Sequence, residues 1–145
     1  MAILTQFIAA EDDEIETIAA AEDPLEEWSG IQLRDFDAGK IATLHALLTG
    51  DLFDEALACY EPLLVSDSEG VVMLRVADEL ASHLTTLGEE VLGDVAAELA
   101  ATEEFEDAGW DEEAIAAMLA DLADLARLAD AQGQALLVWL HPLRT

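Results

Sequence analysis

The chain has 145 residues, 53% of them hydrophobic, and carries 33 Asp and Glu against 5 Lys and Arg for a formal net charge of -28. That length fits one domain able to bury about two-thirds of its unfolded surface in a core. The charge argues against direct binding to nucleic acid or to an anionic membrane, because Arg34, Lys40, Arg75, Arg127 and Arg144 are too few and too scattered to meet a run of phosphates.

No apolar run reaches the roughly 18 residues of a membrane helix. The first ten residues lack the basic start of a secretory signal and lead straight into Glu11-Asp12-Asp13-Glu14. A single cysteine, Cys59, leaves no internal disulfide and no cysteine-based metal cluster. Together these features predict a cytoplasmic protein.

In chain order, residues 3–9 are short and partly β-branched and predict a strand. Residues 11–22 predict a short helix with its acids at the favourable N-terminal end, stopping before Pro24. Trp28 follows in a turn or ordered loop as a packing anchor, and residues 31–36 form an extended lead-in. The segment 37–50 holds a start signal, an apolar face and a stop signal. Asp37 caps it, Ile41, Leu44, Leu47 and Leu48 recur at helical spacing, and Gly50 suits the left-handed closing position.

A short helix is expected within 51–61, with Leu52, Phe53, Leu57 and Tyr60 as its apolar residues and Pro62 as its limit. Two apolar runs, 63–65 and 71–74, flank the turn-forming stretch 66–70 and predict a β-hairpin or two short strands. From Val76 the period is helical to Leu87, and Thr86-Leu-Gly-Glu89 has the form of a capping box opening a second helix through Val91, Leu92, Val95 and Leu99. Asp111 should cap the clearest helix of the chain, whose apolar face includes Ile115, Met118, Leu119, Leu122 and Leu125 and which Gly133 should end. The apolar run 135–140 predicts a buried strand that needs cover on both faces. The expected fold is α+β, a single compact domain of amphipathic helices packed on a small sheet.

Lys40, His45 and Leu47-Leu48-Thr49-Gly50 resemble the signature segment of the YfbM-like bacterial family, a domain of unknown function. The similarity extends, with gaps, through Val72-Met73-Leu74, Gly109-Trp110-Asp111 and the helix and strand that follow, and covers about two-thirds of the chain. The family's signature tryptophan is replaced by Ile41 or Ala42 here. The resemblance implies a compact bacterial α+β domain of residues 1–145, with Lys40, His45, Thr49 and Gly50 as motif residues of unknown role. It supplies no catalytic residue.

A search for chemistry by spacing finds no His-Glu-x-x-His pattern, no phosphate-binding glycine loop and no calcium loop, so no metal, nucleotide or other cofactor is expected. His45 falls at the border of an apolar helix face, where a packed side chain bonded to nearby backbone is the plainer expectation and a ligand contact the sharper one. Cys59 has no neighbouring cation or base to activate it and is expected as a small buried side chain. Carboxylate pairs are so abundant that none is diagnostic.

The composition therefore favours a non-enzymatic, acidic interaction protein that binds a basic protein partner, in the manner of an inhibitor or immunity protein. The alternatives are a small ligand-binding domain or enzyme with a pocket near His45 and Thr49, and a nucleic-acid mimic whose helical acids recur near phosphate spacing. Salt adaptation would also explain the acidity, although the leucine-rich composition and a mean hydropathy of +0.26 weigh against it.

Overall fold

The computed structural model describes residues 4–21, 23–34, 36–65, 70–107 and 109–141. Strands β1 (Leu4–Ala10), β2 (Ser29–Arg34), β3 (Leu64–Val65), β4 (Val72–Arg75) and β5 (Ala135–His141) form one antiparallel sheet in the order β2-β1-β5-β4-β3. The first and last strands thus pair at its centre, with Phe7 opposite Val138 and Ala10 opposite Ala135.

Side-chain alternation divides the two central strands between two cores. Phe7, Ala9, Leu136, Val138 and Leu140 join a large cluster, with Leu74 from β4. This cluster lies against the helices α2 (Ala38–Thr49), α4 (Asp78–Thr85), α5 (Glu89–Ala100), α6 (Glu103–Asp107) and α7 (Glu112–Gln132). Leu4, Ile8, Ala10, Met73, Leu137 and Trp139 face the other way, onto Ile18 and Ala19 of the short α1 (Ile15–Ala20). Every residue of β1 is buried. The result is an α+β domain with a thick helical layer, a sheet and a thin second cover, as the continuous apolar run of β5 requires.

The expected caps form at α2 and α7. Asp37 accepts from the Lys40 N–H at 3.0 Å and Asp111 from the Ala114 N–H at 2.7 Å. Gly50 at φ 82° and Gly133 at φ 68° close the two helices in the left-handed region, which a side chain would disfavour. At the junction of α4 and α5, Arg127 on α7 reaches across to donate to the carbonyls of Thr85 and Leu87, placing a cation at the negative end of α4.

Several local expectations are corrected. Residues 31–34 of the lead-in belong to a true strand, β2, because pairing with β1 supplies the backbone partners that so short a pattern cannot announce. Thr86 does not open α5; its hydroxyl bonds back to the carbonyls of Ser82 and His83, and Gly88 starts α5 with no side-chain cap. α6 had no sequence signal beyond one aromatic among acids. It exists because Phe105 is fully buried against Phe36 and Trp110, with ring centroids 5.9 and 5.8 Å away. In α3 (Phe53–Ala58) the residues turned inward are Ala56 and, just beyond the helix, Tyr60, while Leu52, Phe53 and Leu57 are exposed. Cys59 is likewise exposed. The hairpin of β3 and β4 forms as expected, although residues 66–69 of its turn lie outside the described residues.

Candidate functional site

His45 is on the last turns of α2 with 1% of its surface exposed. The backbone partner expected for its ring is replaced by two side chains from beyond the helix. Nδ1 lies 2.9 Å from the Tyr60 hydroxyl and Nε2 lies 3.0 Å from Asp51 Oδ2. Thr49 and Gly50 build this arrangement. The Thr49 hydroxyl donates to the His45 carbonyl at 2.7 Å and accepts from the Asp51 N–H at 3.3 Å, while the left-handed turn at Gly50 brings Asp51 back over the ring.

The polarity of this chain of contacts follows from its ends. A carboxylate only accepts, so in the neutral ring Nε2 carries the hydrogen and Nδ1 accepts from Tyr60. The Tyr60 oxygen in turn receives the Ala77 N–H at 3.4 Å. Burial pushes the Tyr60 phenol well above its ordinary pKa, with the Ala77 hydrogen bond acting weakly the other way, so the hydroxyl stays protonated. Glu79, exposed in the first turn of α4, brings a carboxylate oxygen to within 4.8 Å of the His45 and Asp51 ligand atoms.

Of the four motif residues, the fold therefore brings together His45, Thr49 and Gly50. Lys40 stands apart at the other end of α2, buried, with its Nζ 3.9 Å from Asp37 Oδ1. The remaining histidines do not join the group. His83 is exposed on α4, and His141 is buried at the end of β5, its ring 5.3 Å from that of Trp139.

A second feature has no precursor in the linear sequence. An open cavity of about 640 Å³ lies where the C-terminal ends of β1, β4 and α7 meet the start of β5 and one face of α4. Its floor includes Val76, Ala81, Ala126, Ala129 and Leu136, and its acids are Glu11, Asp12, Asp13, Asp78 and Asp130. Among the described residues one cation lines it, Arg75, and two aspartates already hold that group. Arg75 Nε donates to Asp12 at 2.8 Å and Nη1 to Asp78 at 3.0 Å, which raises the guanidinium pKa further. The negative end of α7 also points here, with no basic residue in its last turn. Gln134 Oε1, from a residue of the lining, is buried and has no hydrogen-bond partner among the described residues. Beside the cavity, Glu14 is held below its usual pKa, first by the Glu11 N–H and then by the Trp28 indole N–H at 2.8 Å.

Comparison with protein-family models, with curated proteins and with solved structures returns no match for this chain. Among the described residues no helix is long and apolar enough to cross a membrane.

Proposed function

We propose that this protein is a non-enzymatic binding module for a basic protein partner, and that the acidic cavity takes a lysine or arginine side chain of that partner. The carrying observation is the cavity's composition, an apolar floor below five carboxylates whose one cation is already committed to two of them. A Lys or Arg stem is apolar and its head is a hydrogen-bond donor, so the apolar lining suits the stem and the acids suit the head. The volume is in the usual range of about 300–1,000 Å³ for ligand sites.

The wider surface supports the same reading. Among the described residues Lys40 and Arg127 each pair with one aspartate and Arg75 with two, which leaves most of the described acids without an ion-pair partner. A field of one sign accelerates encounter with a basic partner and turns away nucleic acid. We further propose an inhibitor or immunity type of action in the cytoplasm, and kinship with the YfbM-like domains. The support for that kinship is the sequence of residues 40–50 and the order of elements after it.

The test is an NMR titration with a short neutral-capped peptide bearing one arginine, repeated at low and high salt. Shifts should concentrate at Ser82, Asp130 and Gln134 and weaken as the Debye length falls from about 10 Å to 3 Å. Shifts spread evenly over the acidic helices would refute a defined site and leave only a diffuse field.

A further inference from the structure

We propose that His45, Asp51 and Glu79 form a binding site for one first-row divalent transition ion such as Zn²⁺. One nitrogen and two carboxylate oxygens, all within 4.8 Å of one another, are a donor set suited to such an ion. The His45 Nε2 to Asp51 Oδ2 distance of 3.0 Å already matches two adjacent ligands, each about 2.1 Å from a shared metal. Glu79 is exposed and closes the remaining gap by a change of side-chain rotamer. Water completes the shell from the open side.

Three features separate this group from the other carboxylate clusters of the surface. Its floor ligand is a buried imidazole, held in orientation from behind by Tyr60, the arrangement through which an outer partner fixes a metal-binding histidine. Its two acids lie beside the same imidazole although, among the described residues, neither pairs with a lysine or arginine, and a divalent ion would cancel their charge. By contrast the group of Glu11, Asp13 and Glu14 has no histidine and no buried ligand.

Metal binding exchanges one ring proton position for another. The hydrogen leaves Nε2 for solvent and the lone pair left on that nitrogen takes the ion; a hydrogen is gained at Nδ1 and donates to the Tyr60 oxygen, and the Tyr60 hydroxyl rotates its own hydrogen away from the ring. The ring nitrogens therefore report on the site directly. Zinc chloride titrated into ¹⁵N-labelled, chelator-dialysed protein, in excess magnesium to occupy weak surface carboxylates, should bind with one equivalent and switch the His45 ring from the Nε2–H to the Nδ1–H form. Glu79→Gln, at an exposed position that leaves the core intact, should weaken zinc binding by at least about tenfold, and Asp51→Asn similarly. Asp13→Asn, a control on the exposed cluster, should leave it unchanged. Equal affinity in Glu79→Gln and the unaltered protein, or saturation without change in the His45 ring signals, would overturn the site and identify the zinc as adventitious.

Discussion

Replacing Tyr60 with phenylalanine isolates one hydrogen bond in the hydrogen-bonded chain of Tyr60, His45 and Asp51. Tyr60 is 3% exposed and His45 1% exposed, so no water reaches Nδ1 when the hydroxyl is removed. The ring cannot escape by changing tautomer, because a hydrogen at Nδ1 would then face the phenylalanine ring and Nε2 would lose the Asp51 bond. One buried acceptor is left unpaired, a cost of about 1–3 kcal/mol, and the loss of the long Ala77 contact adds little. At about 4 °C per kcal/mol for a chain of this size, the midpoint of thermal unfolding should fall by about 8 °C for a central cost of about 2 kcal/mol. Asp51→Ala makes the contrast. The Asp51 side chain is 38% exposed, so water replaces the carboxylate on Nε2 and the change should cost less than about 1 kcal/mol. Urea unfolding followed by circular dichroism at fixed salt measures both. A Tyr60→Phe protein within about 0.5 kcal/mol of the parent, with Asp51→Ala the costlier change, would refute the reasoning, because it would mean that Nδ1 is hydrated and that Asp51 alone anchors the ring.

Raising salt from about 0.05 to 1 M should raise the unfolding temperature, since screening relieves the self-repulsion of a chain at -28; indifference to salt would show that the acids are already compensated, and folding only at molar salt would indicate halophilic adaptation. Gly30→Ala should destabilise by about 1–3 kcal/mol, because a Cβ there would overlap the Phe7 carbonyl oxygen in the neighbouring strand and come within 2.6 Å of Leu25 Cδ2, and a denaturation midpoint equal to the parent's would show that β2 moves freely. Leu119→Ala, at a fully buried position on α7, should cost about 2–5 kcal/mol in the same assay, and a cost under about 1 kcal/mol would deny α7 its place in the core. Glu14→Gln should be destabilising at neutral pH and silent in acid. The folded-state pKa of Glu14 is lowered, so its contribution is present above the unfolded carboxylate range and is lost as pH falls through the folded value; a pH-independent difference between the two proteins would contradict this.

Much of the architecture was legible in the sequence because it rests on local chemistry. Asp37 and Gly50, and Asp111 and Gly133, mark helix ends through contacts within three or four residues, and those signals survive without knowledge of the rest of the fold. The continuous apolar run of β5 announced a strand covered on both faces. Periodicity misled in α3, where Leu52, Phe53 and Leu57 have helical spacing but face solvent. Spacing defines a face, and only the neighbouring elements decide which face is covered.

The candidate sites were illegible for the same reason. His45 alone was ambiguous, and its meaning depends on Tyr60, 15 residues away, and on Glu79 from a different helix. The acidic cavity joins residues from Glu11 to Leu136 because the first and last strands pair at the centre of the sheet, bringing the end of α7 beside the acids that follow β1. The sequence by itself determined the helices with strong caps, the buried last strand and the sign of the field around the protein. Which acids converge, and which histidine gains partners, was decided by strand order and helix packing, since carboxylates are everywhere in this chain and only proximity distinguishes one from another.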